Sequence, residues 1–597
     1  MCDFLTSAVR ETTHRGSDDL LSAGMGLNGL RATPPAFADP SAPTPEELRR
    51  NAMHMNWRGI ADLGPLGGYG SVYGAVPNVP GREFSAFARI PGATVPHRVL
   101  AQIPDDFDAR RRCLVVAAPP GSRGVYGAIA LAGAWGLPRG CAVAYTDKAC
   151  GSGYFDLDSQ AGVALDGTRA SRSDHAGDTT HSRDALEFEP EYVEGASGVA
   201  IKHAHSGGHP EADWGRHVLQ AAQFGLAMLD RAYPARAPFT AQNTRVIATG
   251  LSNAAASALL AAGLDTEHTL SGVVALSPNV HVADFGRPLY DYTTEAALLM
   301  PAALCDAQFE TTPFARVNGS IPAQWLARCA HLHAQGVLEG ADANTQAREA
   351  LERLRAHGWE ERALATAAST TTFDLWRALG ATYASAYLRR GAHAMPCGFS
   401  CSAVGANGAP QAADAPTRAA WWAEASGIAP GAGVMLLGGI DASHDPTASA
   451  IEGLRALWTG ADEDARRLRS SVAETAARIP RDDLPILVAH GEDDGLLPIA
   501  FSSAPYVAAL ENANRKPVFW RIPHAQHFDA FLALPDFGAR YVPLLPYAYA
   551  ALDRMHAHLF DGEPLPSSHR FDARPRGPNA LEASAFGLGG DSGTLRA

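Results

Sequence analysis

A serine becomes a useful nucleophile only when a base takes its proton, and the base needs a carboxylate to hold its tautomer. Three short stretches of this 597-residue chain carry the residue types for such a set. In Gly250-Leu251-Ser252-Asn253-Ala254, a serine follows the apolar run Val246-Ile247-Ala248 and precedes a run of small helix formers. Strand, sharp turn, helix is the context in which G-x-S-x-G lifts a serine clear of the backbone and turns the next N–H toward a developing oxyanion. The turn demands small residues two before and two after the serine. Gly250 meets that demand without strain, and Ala254 is the next smallest choice. The plainer reading of Ser252 is a helix N-cap.

Where the serine sits on such an elbow, the acid and then the histidine follow it along the chain. Gly491-Glu492-Asp493-Asp494-Gly495 comes directly after the apolar run 484–490. Asp494 is the expected carboxylate, with Asp493 and Glu492 as competitors and a solvated acidic turn as the bland reading. One helix and one strand later stands His524-Ala525-Gln526-His527-Phe528-Asp529. His527 is the expected base and His524 the alternative. A lone histidine among 22 means little; order along the chain carries the assignment. The oxyanion donors expected are the backbone N–H groups of Asn253 and, from the Gly-rich loop Pro120-Gly121-Ser122-Arg123-Gly124, of Ser122. An ordinary glycine turn is the alternative for that loop.

A metal site is the rival chemistry. His203, His205, His209, Asp213 and His217 cluster in "KHAHSGGHPEADWGRH", and H-x-H opens some zinc sites. A binuclear hydrolase would want an acid and a further histidine directly after that pair. Ser206-Gly207-Gly208 follow instead. The expectation is no metal and no cofactor, with His203 and His205 packing or hydrogen-bonding near the cleft.

The elements that must position these residues alternate. "HRVLAQIP" (97–104) reads as a half-buried strand, "CLVVAAP" (113–119) as a central one, "VYGAIALAGAWGL" as a helix and "CAVAYTD" (141–147) as another buried strand. Residues 150–210 show little periodicity and read as a long loop. A helix over 213–233, the strand "TRVIATG", a helix closing on Gly263 and the strand "LSGVVALSP" follow. Near the N-terminus, Thr44-Pro45 opens a helix over 44–53. From 285 to 480 the pattern turns helical, and then the strands "LPILVAHG" and "KPVFWRIP" resume. This predicts an α/β-hydrolase fold: a mostly parallel sheet with a large helical cap insertion. Its expected parts are an N-terminal extension packed on the core (1–82), a first core part (83–284), the cap or lid (285–480), a second core part (481–560) and an extended polar tail (561–597).

Composition narrows the function. Hydrophobic residues make up 46% and charged residues 19%, enough for a large core. Forty-nine basic against 63 acidic residues leave a net charge of −14 and no basic block. That argues against nucleic acid and anionic membrane surfaces as partners. No run of 18 apolar residues is present, so no membrane span is expected. The N-terminus lacks a basic-then-apolar signal pattern, which reads as cytoplasmic unless an export segment is missing from this sequence. Eight cysteines are too sparse for a disulfide scaffold. Most, including Cys113 and Cys141 in their strand-like stretches, are expected to be free and buried.

Several longer stretches share one resemblance. "HRGSDDLLSAGMGLNGL", "PPAFADPSAPTPEELRR", "NWRGIADLGPLGGYGSVYG", "GSRGVYGAIALAGAWGLPRGCAVAYTDK", "HAHSGGHPEADWGRHVLQAAQF", "LYDYTTEAALLMPAAL" and "AQHFDAF" resemble the D-(−)-3-hydroxybutyrate oligomer hydrolases, from about residue 14 to beyond 540. Ser252-Asn253 match that family's S-N-G-G motif after Leu251, with Ala254-Ala255 in place of the glycines. Asp494 falls on its G-x-x-D-x-L-x-P stretch and His527 on its A-Q-H-F-D stretch. The resemblance implies a cofactor-free serine esterase acting on (R)-3-hydroxybutyrate dimers and oligomers, downstream of polyhydroxybutyrate depolymerisation. The small-molecule ester would be its partner, and several such proteins are exported. An oligomer ends in a carboxylate, so Arg123 is the candidate substrate-binding residue, against a plain structural role tying its loop to the sheet. The alternatives are an esterase of the same fold for aromatic or polyester-derived esters, and a catalytically dead binding protein.

Overall fold

The computed structural model describes residues 2–151, 153–171, 186–423, 431, 433–439 and 445–589. Ten strands form one sheet: β1 (Arg10–His14), β2 (Gly81–Ala88), β3 (His97–Pro104), β4 (Cys113–Ala117), β5 (Ala142–Thr146), β6 (Arg245–Leu251), β7 (Gly272–Leu276), β8 (Ile486–Gly491), β9 (Val518–Ile522) and β10 (His569–Arg570). Their spatial order is β1-β2-β3-β5-β4-β6-β7-β8-β9-β10. Pairing is antiparallel from β1 to β5 and parallel from β5 to β10. This is the α/β-hydrolase arrangement.

Successive side chains of a strand point to opposite faces, and the core divides accordingly. Val115, Val143, Ile247, Val274, Leu487 and Trp520 pack on one face with α1 (Pro45–Ile60) and, further along the chain, the helix Leu545–Asp561. Leu114, Val116, Ala144, Ala248, Val273 and Val488 pack on the other with α2 (Trp214–Ala232) and α3 (Asn253–Leu264). Helix α1 starts where the sequence places it: Thr44 and Glu47 close a reciprocal capping box with Pro45 in the first turn. It runs on to Ile60, beyond the expected 53.

Several expectations are corrected. β3 is buried along its whole length, because β2 and β5 flank it and α2 covers it. The stretch from Val125 is no single helix but short 3-10, π and α turns. Gly133 and Gly136 press against the sheet there; a Cβ on Gly133 would stand 2.7 Å from the Tyr145 hydroxyl. Within 150–210, short antiparallel strands (Arg169–Ser171, Ala161–Val163, Tyr154–Asp156, Val199–Ile201) make a second sheet; 172–185 lie outside the described residues. Cys113 and Cys141, at the starts of neighbouring parallel strands, form a disulfide, while Cys2, Cys150, Cys305, Cys329, Cys397 and Cys401 are free. The tail is not merely polar: β10 extends the sheet, and Phe571 and Phe586 are buried in the core.

The segment between β7 and β8 gathers α4 (Leu289–Ala303), four further helices between 323 and 387 ending in α5 (Leu375–Tyr387), and two more over Ala448–Thr459 and Glu463–Glu474, around one apolar cluster. It also carries a three-stranded sheet (Pro410–Gln411, Ser400–Val404, Met435–Leu437) that helical periodicity did not predict. Among the described residues no helix is long and apolar enough to cross a membrane.

Candidate active site

The site forms at the carboxyl ends of β6, β8 and β9, where open α/β sheets leave a crevice. Ser252 follows β6 with φ 61° and ψ −124°, a strained conformation for a residue with a side chain. Its N–H donates to the Leu276 carbonyl of β7 at 2.9 Å, and its own carbonyl accepts from Ala256 and Asn279. These bonds hold the strain. A Cβ on Gly250 would lie 2.3 Å from the Ala254 carbonyl carbon and 2.6 Å from the Ala254 Cβ. The elbow thus closes on one contact pair, and with glycine at 250 the methyl of Ala254 is accommodated.

The structure brings Ser252, His527 and Asp494 together. Ser252 Oγ is 3.0 Å from His527 Nε2, and His527 Nδ1 is 2.7 Å from Asp494 Oδ2. Asp494 Oδ1 accepts from the N–H groups of Leu496 (3.0 Å) and Leu497 (2.7 Å). Burial works against its charge, but His527, His490 and their hydrogen bonds outweigh it and hold the carboxyl well below its usual range. His490, wholly buried, lies 3.5 Å from Asp494 Oδ2 and donates from Nε2 to the Leu497 carbonyl at 2.9 Å. Sequence reasoning had no signal for it beyond its place in β8.

The competitors are engaged elsewhere. Glu492 pairs with Arg570 (2.8 Å), Arg521 (3.0 Å) and Arg362 (3.0 Å). Asp493 stitches the acid loop to the histidine loop: its N–H donates to the Ala525 carbonyl at 3.0 Å, and its Oδ1 accepts from the His524 N–H at 2.9 Å. Gly491 permits this approach, since a Cβ there would stand 2.3 Å from the Ala525 oxygen. The helical insertion docks on the same loop, where the Thr366 hydroxyl donates to the Asp493 carbonyl at 2.6 Å.

A cleft opens on Ser252 and His527. Leu289, Leu375, Leu379 and Tyr383 of the insertion line it, with Leu496, Leu497 and Phe528 from the core. Pro120, Gly121, Arg123, Asp529 and, from the end of α1, Gly59 and Ile60 also line it. The contribution of α1 had no counterpart in sequence periodicity. Arg123 lines the cleft and also donates from Nη2 to the Gly59 carbonyl at 2.9 Å. The Asn253 N–H lies at the first position of α3, where no intrahelical acceptor exists.

Ser122 turns its side chain away, its Oγ 2.7 Å from His203 Nδ1. His203 Nε2 is 2.5 Å from Glu211 Oε1, and His209 Nδ1 is 3.0 Å from Glu211 Oε2. Burial alone would lower His203, but Cys150 and Glu211 beside it raise it to about 10. The buried Lys148 Nζ donates to the Gly121 carbonyl at 2.5 Å, so this loop is anchored twice from behind. The histidines considered as metal ligands are spread over different partners: the His205 Nδ1 accepts from the Ile201 N–H, and His217 packs on His97. Among the described residues no three His, Cys, Asp or Glu side chains gather as a metal-holding group.

Comparison with known proteins matches residues 2–588 to the family described as 3HB-oligomer hydrolase. The D-(−)-3-hydroxybutyrate oligomer hydrolase of Paracidovorax citrulli (strain AAC00-1) is 38% identical over 97% of this chain and 90% of its own. That of Cupriavidus metallidurans (strain CH34) is 36% identical over 96% and 87%. Among solved structures, the rice cell wall degrading esterase LipA from Xanthomonas oryzae is 11% identical with a TM-score of 0.35, covering 80% of this chain and 90% of that one.

Proposed function

This chain belongs to the 3HB-oligomer hydrolase family, and from that premise we propose that it is a serine esterase that cleaves D-(−)-3-hydroxybutyrate dimers and longer oligomers to monomer. The observation that carries the reading is the run of contacts from Ser252 Oγ to His527 Nε2 and from His527 Nδ1 to Asp494, with Ser252 and His527 lining an apolar cleft.

Ser252 Oγ attacks the ester carbonyl while His527 Nε2 takes its proton. Asp494 holds the imidazole with Nδ1 protonated and stabilises the imidazolium. The tetrahedral oxyanion is met by the N–H groups of Asn253 and Ser122. Collapse breaks the ester C–O bond, His527 returns the proton to the leaving hydroxyl, and water activated by His527 releases the acyl group. The apolar wall receives the methyl and methylene groups of the substrate. Residues 285–480 act as the cap that shapes this pocket, supported by the Leu289, Leu375, Leu379 and Tyr383 side chains in the cleft. Arg123, which also lines the cleft, pairs with the terminal carboxylate of the oligomer.

The test is monomer release from the (R)-3-hydroxybutyrate dimer and trimer, wild type beside Ser252→Ala, with labelling by a serine-directed phosphonate. Release and labelling by the wild type, both lost in the variant, support substrate and nucleophile together. A wild type that is labelled but inert on both oligomers overturns the substrate.

A further inference from the structure

The polar side chains lining the cleft differ in whether their hydrogen-bonding capacity is committed. Ser252 and His527 face each other, and Asp529 accepts from the N–H groups of Leu544 and Leu545 at 2.8 and 2.9 Å. Asn253 is used at both ends of its amide. Its Oδ1 accepts from Asn279 Nδ2 at 2.8 Å, and its Nδ2 donates to the Tyr383 hydroxyl at 2.8 Å. That last bond decides the state of Tyr383. A phenol has one proton to give and accepts through its lone pairs. The partner of the Tyr383 oxygen among the described residues is a donor, so its own proton is left to give. Tyr383 is 3% exposed and lines the cleft, so a group bound there can accept that proton. The ring is fixed by His203 edge-on at 5.0 Å and by Tyr387 at 5.7 Å.

Around it the wall is hydrocarbon: Leu289, Leu375, Leu379, Leu496, Leu497 and Phe528. These side chains accept methyl and methylene groups but offer nothing to an oxygen. A 3-hydroxyacyl unit carries one such oxygen three bonds from the scissile carbonyl carbon, and a plain butyryl unit carries none. We infer that Tyr383 determines specificity for the 3-oxygenated acyl unit, its hydroxyl donating to the oxygen on the third carbon of the acyl group bound at Ser252. That oxygen is a free hydroxyl in a terminal unit and an ester oxygen in an internal one, and both accept. The inference rests on the esterase reading above.

The experiment compares p-nitrophenyl (R)-3-hydroxybutyrate with p-nitrophenyl butyrate, which share a leaving group and differ in that one oxygen. The full-length wild type is measured beside Tyr383→Phe, which keeps the ring against His203. The ratio of kcat/KM for the hydroxylated over the plain ester is expected to fall about tenfold in the variant. An unchanged ratio overturns the assignment, and so do equal losses on both esters, which place the phenol in support of the shared chemistry or packing instead. Failure of the esterase reading is told apart by the wild type: it would turn over neither ester and would not be labelled at Ser252, and the inference would fall with it.

Discussion

Two serine–histidine–carboxylate sets stand beside the same cleft, and their ingredients are nearly identical. Ser252, His527 and Asp494 are linked at 3.0 and 2.7 Å; Ser122, His203 and Glu211 are linked at 2.7 and 2.5 Å. The imidazole is reversed between them. His527 meets its serine through Nε2 and its acid through Nδ1, whereas His203 uses Nδ1 for the serine and Nε2 for the acid. The larger difference is backbone. Ser252 is raised on a strained elbow into the cleft, while Ser122 turns inward to a histidine with no solvent exposure. Glu211 is shared with His209, whose Nε2 lies 2.8 Å from the Ser471 carbonyl in the insertion. A carbonyl only accepts, so that nitrogen carries a proton. The second set therefore clamps the 120–124 loop toward the segment between β7 and β8, and the first lines the cleft. Residue types alone do not make a nucleophile; access and the direction of the hydroxyl do.

The sharpest way to break this contrast is to remove each hydroxyl. Ser252→Ala should lower dimer hydrolysis by about 10⁴- to 10⁶-fold, whereas Ser122→Ala, which keeps its backbone N–H, should cost less than about tenfold. Comparable losses in steady-state assays of both variants would erase the distinction. Next come the carboxylates. Asp494→Asn should cut kcat about 10⁴-fold by allowing the wrong tautomer of His527. Glu211→Gln should act chiefly on stability, by about 3–5 kcal/mol, because it leaves buried histidine donors without their anion; urea unfolding measures that. At the elbow, Gly250→Ala pushes a methyl into the Ala254 carbonyl and should lower kcat about 100-fold by moving Ser252 on the scale of an ångström; an unchanged kcat would mean that the turn has slack.

The smallest effect expected is in pH dependence of stability. His203 is raised from its ordinary 6.5 to about 10. Its contribution is complete below the unfolded value and is lost as pH rises through about 10. Asp494, held low, has the opposite sign: its contribution is present above the unfolded carboxylate value and fades as acid is added. Thermal unfolding between pH 7 and pH 10 should thus show a decline that His203→Gln flattens. An identical slope in the variant would place the alkaline loss elsewhere.

Much of the first set was legible in the chain. Gly250 and Ser252 lie between an apolar strand and a run of alanines, and Asp494 and His527 each follow a strand of the resumed sheet. Strand alternation and a required chain order are local properties, so they survive in one dimension. The second set is not legible as a set: the sequence offers Ser122 as an oxyanion donor and His203 as a packing or metal-ligating histidine, and does not single out Glu211. Its members come from separate segments, and their partners sit far away: Ser122 is 81 residues from His203, and His209 is 262 from Ser471. The Cys113–Cys141 disulfide was missed for the same reason, since β4 and β5 become neighbours only once the sheet forms.

The sequence by itself determined the layered α/β class, the serine elbow and the order of acid and histidine, because those depend on short-range patterns of size, polarity and turn chemistry. The tertiary structure decided which serine is presented, which of Glu492, Asp493 and Asp494 reaches His527, and which walls close the cleft. Those outcomes depend on side-chain direction and on contacts between segments far apart in the chain. Arg570 draws Glu492 away, Ala525 holds Asp493, and the end of α1 lines the same cleft as Leu289, Leu375, Leu379 and Tyr383. Only the packed chain brings such groups within the few ångströms over which hydrogen bonds and charges act.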